Sequence, residues 1–322
     1  MQSKILVTGA NGFIGRALCL KLLESGEDVT GVVRSCLNIT DSIKVVRVSG
    51  IDEKTNWRNV LGGGVDVVVH LAARAHVLKD RAEGSALEYW RVNMHGTKNI
   101  AEQAAAAGVR RFVFLSTVKV SGEESPRGRS FTEDVVPYPE DDYARSKWKA
   151  EQALLELGGR TGMEIVIVRP PLVYGEGVKA NFLSMMKWLH CGYPLPFGAL
   201  DNKRSLVALD NLVDFIMLCI RHPAAAGETF FVSDGEDIAV RDLLASLSRA
   251  LGVKMRLLPV PVFLLRAGAF CLGKSDVARR LCGSLRVDIG KAVRLLDWAP
   301  PVSQEIAFGK VADHFLRKDL ND

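Results

Sequence analysis

Short β-branched runs alternate with helical patterns through the first half of the chain. The run "KILVTG" (4–9) is nearly continuous in apolar residues and predicts a buried strand, followed by a helix over 12–25. "DVTGVVR" (28–34), "IKVVRV" (43–48), "VDVVVHLAA" (65–73), "RRFVFLS" (110–116) and "MEIVIVRP" (163–170) continue the series, with helices over 86–107 and 141–157 between them. Near-continuous apolar strands separated by helices predict an α/β fold, a doubly wound parallel sheet covered on both faces. After Pro170 the pattern changes. Residues 171–205 are rich in Pro, Gly and aromatics, 236–322 are mainly helical, and "ETFFVSDG" (228–235) predicts one more strand returning to the sheet. The expected division is a sheet domain over 1–170, rejoined by 206–235, and a smaller, mainly helical lobe from 171–205 and 236–322. That lobe would close over the carboxyl ends of the strands, where open α/β sheets bind ligands.

Composition narrows the class. The 322 residues are 48% hydrophobic, enough for a substantial core, and the net charge of +5 is scattered rather than massed. Scattered charge points to a solvated surface with a few anion-binding arginines and away from nucleic acid. The six cysteines (19, 36, 191, 219, 271, 282) have no CxxC spacing and lie mostly in apolar surroundings, so buried thiols in a reducing compartment are expected, without a zinc site. "MQSKILVTGANGFIG" lacks a signal-peptide layout. "LLPVPVFLLRAGAFCLG" (257–273) is broken by two prolines and Arg266 and predicts a helix packed on the second lobe rather than a membrane span. A cytoplasmic location follows, and the acceptor-like Asn38-Ile39-Thr40 would go unused.

The candidate chemistry starts at "TGANGFIG". Gly9, Gly12 and Gly15 follow the first strand and open a helix, as a tight turn, a close backbone approach and close helix packing require, and the helix N-terminus offers amides to a pyrophosphate. This is the signature of a Rossmann-type dinucleotide site. A second signal is "DDYARSKWKAE" (141–151), which places Tyr143 and Lys147 four apart on one helix face. A phenol with an ordinary pKa near ~10 is a poor base at neutral pH. A neighbouring ammonium, or a cationic nicotinamide, is expected to lower that value and let the phenol exchange a proton while hydride moves. The histidines (70, 76, 95, 190, 222, 314) show no metal-ligand spacing, and His70 is expected to be hydrogen-bonded rather than catalytic.

With the GxxGxxG spacing, His70-Leu71-Ala72-Ala73, "VNMHGTKN" (92–99), "LSTVKVSG" (115–122), Tyr143/Lys147 and "RPPLVYG" (169–175) in order, the chain resembles the extended short-chain dehydrogenase/reductases. These form the NAD(P)-dependent nucleotide-sugar epimerase/dehydratase/reductase superfamily, and the resemblance spans essentially the whole chain. It implies that Thr117, Tyr143 and Lys147 are catalytic, with Lys147 also holding the nicotinamide ribose. It implies cofactor contacts from Gly9, Asn11, Gly12, Phe13, Ile14, Gly15, Arg34, Leu71, Ala72, Ala73, Asn93, Ser116, Pro170 and Val173. Substrate contacts are implied for Arg74, Thr117, Val118, Lys119, Asn181, Pro196, Phe197, Arg204, Arg279 and Arg280, with Arg204 at the diphosphate.

Three departures refine the expectation. Where NAD sites place an acid at the end of the second strand, this chain has Val32-Val33-Arg34, and Arg34 suits a 2′-phosphate; NADP(H) is favoured, with NAD(H) the alternative. The adenine-contacting Asp of the family is displaced, Ser49-Gly50-Ile51-Asp52 standing in its place. Sugar 4,6-dehydratases have Thr-Asp-Glu where this chain has Thr117-Val118-Lys119, so dehydration is not expected. The resemblance therefore implies an NAD(P)H-dependent reductase of a UDP-4-keto-6-deoxy-N-acetylhexosamine, making a UDP-N-acetylquinovosamine or fucosamine-type precursor for surface polysaccharide. A UDP-hexose or UDP-N-acetylhexosamine 4-epimerase is the alternative, and a non-catalytic dinucleotide-binding regulator a third reading. A homodimer paired through the helices near 86–107 and 141–157 is also implied.

Overall fold

The computed structural model of the chain describes residues 2–35, 42–75, 85–273 and 275–319. Cys36, Asn38 and His76 lie outside them. Seven parallel strands form the main sheet: β1 (Lys4–Thr8), β2 (Asp28–Val33), β3 (Lys44–Arg47), β4 (Val67–His70), β5 (Arg111–Leu115), β6 (Glu164–Arg169) and β9 (Thr229–Phe231). Their order is β3-β2-β1-β4-β5-β6-β9. The last place is the predicted return, with Val168 paired to Phe230. A second sheet has the order β10-β8-β7, from β7 (Leu172–Tyr174), β8 (Lys203–Ala208) and β10 (Asp237–Ala239).

The apolar runs make this sheet because both faces are covered. Val7, Val69, Val113 and Val166 point to one core with the helices Phe13–Glu24 and Leu209–Arg221. Leu6, Val68, Phe112 and Ile165 point to the other, against Thr97–Ala106 and Asp142–Thr161. Each such side chain contributes about 1.5–3 kcal/mol on burial. A third core joins Tyr174, Phe182 and Leu206 to Leu244 and Phe308 from the helices Val240–Ala250 and Gln304–His314. The chain runs outward from β1 through β2 to β3, then crosses back to β4. That reversal leaves a crevice at the carboxyl ends of β1 and β4, the usual ligand position in such sheets.

Some local expectations change. Cys19 and Cys219 are buried thiols, but Cys191 and Cys271 are exposed. The helix Val262–Cys271 forms within the apolar stretch, yet none of its residues is buried. No described helix is long and apolar enough to cross a membrane.

Candidate active site

β1 gives way to Gly9, whose φ of +67° favours glycine. A Cβ there would stand 3.0 Å from backbone atoms of Ala72, and one on Gly15 only 2.1 Å from the Gly9 carbonyl oxygen. The Gly12 N–H donates to Gly9 O at 2.9 Å. The helix Phe13–Glu24 thus starts tight against the strand, with no side-chain cap and no acid in its first turn. Its N-terminal amides and the positive end of its dipole are left to an anion. Phe13 and Ile14 pack on the core behind this turn. Gly9, Asn11 and Gly12 line a cleft of about 610 Å³, whose other walls include Val32–Arg34, Ser49–Asp52 and Leu71–Arg74. A backbone cradle that a Cβ would fill, beside a free helix N-terminus, fits a dinucleotide pyrophosphate.

Arg34 is exposed at the cleft and no carboxylate accompanies it at the end of β2. Asp52 reaches the same cleft. Its carboxylate accepts hydrogen bonds from Thr55 Oγ1 and Lys54 N, each at 3.0 Å, and faces Arg91 at 3.9 Å.

The helix Asp142–Thr161 is capped by Asp141, which accepts from Ala144 N at 2.7 Å. Its inward stripe includes Ala144, Lys147, Ala150, Glu151 and Leu154, so burial selects two charged residues along with the apolar ones. Lys147 Nζ lies 3.9 Å from the centre of the Phe114 ring. Burial lowers its pKa to about 7, against an upward pull from Glu151 one turn on. Tyr143 is half-buried, and the Tyr89 ring meets it edge-on at 6.1 Å. Here the expectation is corrected. Burial first, then Asp141 and Tyr89, raise the phenol above its ordinary value.

Beneath the pair lies an ion pair that sequence reasoning passed over. Arg169 donates to both Glu151 carboxylate oxygens, from Nε at 3.0 Å and from the guanidinium fork at 2.6 Å. Ser116 Oγ also donates to Glu151 through a short bond. All three are buried, so the hydroxyl of Ser116 is engaged with this pair. Thr117 ends β5 with its Oγ1 accepting from Lys119 N at 3.3 Å, and Val118 N donates to Pro170 O at 3.0 Å. Val118 itself is buried in a small cluster with Phe131 and Phe231.

Asn93 is likewise internal. It accepts from Arg74 N at 2.8 Å and donates to Arg74 O and Ser146 Oγ, each at 3.1 Å, tying the loop after β4 to the Tyr143 helix. It sits in the π-helical segment Trp90–Gly96, where the widened turn aims it inward. Arg74 lies 6.0 Å from the Tyr89 ring centre. His70, as expected, is fully bonded, to Thr8 Oγ1 at 2.8 Å and Thr97 Oγ1 at 3.1 Å. Burial, then Lys147, lowers its pKa to about 3, so the ring is neutral.

The residues predicted for the substrate divide. Lys119 Nζ is held by Glu123 at 2.8 Å and by Asp141, the helix cap, at 2.7 Å. Arg279 pairs with Glu140 at 2.7 Å and Arg280 with Glu123 at 3.0 Å. These cations brace the helix Ser275–Cys282 and the 123–141 loop against the start of the helix Asp142–Thr161. Arg204, whose pKa burial lowers, donates to the carbonyls of Arg280 and Gly283 at 2.6 and 3.2 Å. Phe197 packs on the third core, in the turn that also holds Pro196, and Val173 packs on the first. Asn181 falls in the first turn of the helix Ala180–His190, and its side chain lies outside what is described. The helix Leu209–Arg221 starts after Ala208 without a side-chain cap, and Asp210 in its first turn pairs with Lys310 at 2.5 Å.

Glu151 was within reach of the sequence, because it stands four residues after Lys147 on the same face. Tyr89, Asp141 and Glu123 gave no such signal, since their roles arise from contacts between segments distant in the chain.

Residues 5–233 match the model of the "NAD dependent epimerase/dehydratase family". A protein of Vibrio cholerae named UDP-glucose 4-epimerase is 43% identical over 98% of this chain and 97% of its own length. A 2-alkyl-3-oxoalkanoate reductase of Stenotrophomonas maltophilia is 33% identical over 77% of this chain and 76% of its own. Among solved structures, a Thermus thermophilus UDP-glucose 4-epimerase in complex with NAD superposes with a TM-score of 0.80 at 22% identity, covering 98% of this chain and 99% of that one. The matched span contains the glycine turn, the Thr117 strand end and the Tyr143/Lys147 helix, and this chain belongs to the NAD dependent epimerase/dehydratase family.

Proposed function

We propose that the chain is a UDP-hexose or UDP-N-acetylhexosamine 4-epimerase. The observation that carries this reading is the strand end Thr117-Val118-Lys119 beside Tyr143 and Lys147. The two positions that would supply an acid and a base for dehydration hold a buried valine and a lysine locked between Glu123 and Asp141. What remains is proton exchange at one hydroxyl. The full-length similarity to a UDP-glucose 4-epimerase of Vibrio cholerae supports epimerisation over the reductase reading.

In this reading Tyr143 accepts the proton of the sugar 4-hydroxyl and later returns it, while Thr117 orients that oxygen. Lys147, held over Phe114, supplies the positive charge that favours the phenolate. Bound at the glycine cradle, the dinucleotide supplies the hydride acceptor and donor. Gly9, Gly12 and the helix N-terminus would hold its pyrophosphate, and Arg34 would be available to the adenosine ribose. Arg204 is the residue proposed for the UDP diphosphate, as its fork suits phosphate oxygens. A homodimer paired through helices 86–107 and 142–161 belongs to the same reading; exposed Leu87 and Leu155 support it.

Arg34 favours a second reading, a 4-ketoreductase that consumes exchangeable NADPH. One experiment separates them. Purified protein is incubated with UDP-glucose and UDP-N-acetylglucosamine without reductant, and separately with UDP-4-keto sugars and NADPH or NADH. Tightly bound NAD and interconversion of 4-epimers without reductant are expected. Stoichiometric NADPH oxidation with no epimerisation would replace the first reading by the second.

A further inference from the structure

The helix Val262–Cys271 is apolar around nearly its whole circumference, which is the pattern of a helix with apolar surroundings on every side. One side has them. Val262 and Leu265 pack on the third core, at i and i+3. The side facing away does not. Phe263, Ala267 and Phe270, at i, i+4 and i+7, run along it, with Phe263 69% and Phe270 76% exposed. Leu264 and Leu258 are also exposed, as is Leu272 just past the helix end at 73%.

Charge indicates what covers this face. From residue 243 to 275 the chain holds no Asp or Glu, and its described part carries Arg249, Lys254, Arg256 and Arg266, all exposed. The 254–258 segment is fixed to the chain beside it: Leu195 N donates to Arg256 O at 2.8 Å and Leu258 N to Leu195 O at 2.9 Å. The chain leading into that pairing carries exposed Tyr193, and Tyr193 N donates to the carbonyl of Trp188, another exposed aromatic. Exposed aliphatic and aromatic side chains in a stretch that holds lysine and arginine but no acid, with exposed tryptophan and tyrosine on the chain beside it, match the headgroup zone of an anionic bilayer. A second copy of the chain fits less well. A ten-residue helix is about 15 Å long and about 10 Å across, well short of the ~800 Å² per partner that a stable interface needs.

We propose that the face formed by Phe263, Phe270, Leu272 and the flanking Lys254 and Arg256 docks peripherally on an anionic lipid surface. The adjoining helix Ser275–Cys282 carries Arg279 and Arg280, which pair with Glu140 and Glu123 beside the catalytic helix, so the docked edge belongs to the same lobe that borders the site.

The test is co-sedimentation of the full chain with phosphatidylcholine vesicles and with vesicles that also contain phosphatidylglycerol. Binding to the anionic vesicles alone is expected, weakening with added salt. Phe263→Ser with Phe270→Ser should lower partitioning by about tenfold or more, and Lys254→Gln and Arg256→Gln by about fivefold each. An unchanged thermal midpoint shows that each variant is folded. Leu272→Glu, outside the helix, gives an independent variant with the same expected loss. No binding to anionic vesicles, or binding that the phenylalanine and Leu272 variants leave intact, overturns the proposal. So does an apolar face that proves to be a self-association surface, seen as dissociation of an oligomer by these variants without any vesicle binding.

Discussion

Lys147 is a charge kept in an apolar place, and replacing it should make the protein more stable and inactive. The side chain is 1% exposed, and burial lowers its pKa from 10.5 to about 7. In the unfolded chain it holds its proton up to the ordinary value. Between those two pKa values the unfolded state binds more protons, so stability rises with pH; below the folded value the full cost is present. At pH 7 the cost is about 4 kcal/mol, from about 1.4 kcal/mol per pKa unit. Lys147→Met removes it, the ammonium's contact with the Phe114 ring being already part of what sets the folded value. A net gain of about 4 kcal/mol at pH 7 is expected. Glu151 is not stranded by the change, because Arg169 and Ser116 still satisfy its carboxylate. Urea unfolding of ligand-free wild type and Lys147→Met at several pH values measures this directly. Wild type should gain about 2 kcal/mol between about pH 7 and about pH 9 relative to the variant. Parallel pH dependences, or a variant less stable at pH 7, would refute the placement of a costly buried ammonium.

Three further outcomes follow from the geometry. Tyr143→Phe should lower turnover by about 10²–10⁴-fold while leaving dinucleotide affinity, measured by titration calorimetry, nearly unchanged; full turnover would exclude the phenol as the proton carrier. Glu151→Gln breaks the buried pair with Arg169 and should cost about 3–5 kcal/mol in urea unfolding. Its Lys147, relieved of the nearby carboxylate, should titrate still lower, moving the pH profile of turnover toward acid. Gly15→Ala places a Cβ 2.1 Å from the Gly9 oxygen and should destabilise the turn by about 1–3 kcal/mol, with loss of dinucleotide binding. Unchanged affinity there would show that the turn does not hold the pyrophosphate.

The chain's own letters determined the sheet and the cradle. Continuous apolar runs at β1, β4, β5 and β6 can be buried only between helices, and Gly9 and Gly15 mark contacts too close for a side chain. Both are local constraints, written within a few residues. Tyr143 and Lys147 were legible for the same reason, as a helix fixes what lies four residues apart. Glu151 obeys that spacing too, but its meaning depends on Arg169, which the sheet brings to it from the next strand.

Only the tertiary structure decided what the cations do. The family resemblance implies Lys119, Arg279 and Arg280 as substrate contacts. Folding brings Glu123, Glu140 and Asp141 against them, at 3 Å or less, and no spacing in the sequence foretells those pairs. The phenol's pKa was settled the same way. Sequence supplied the ammonium four residues on, whereas the burial and the nearby Asp141 and Tyr89 that raise the phenol depend on packing across the fold.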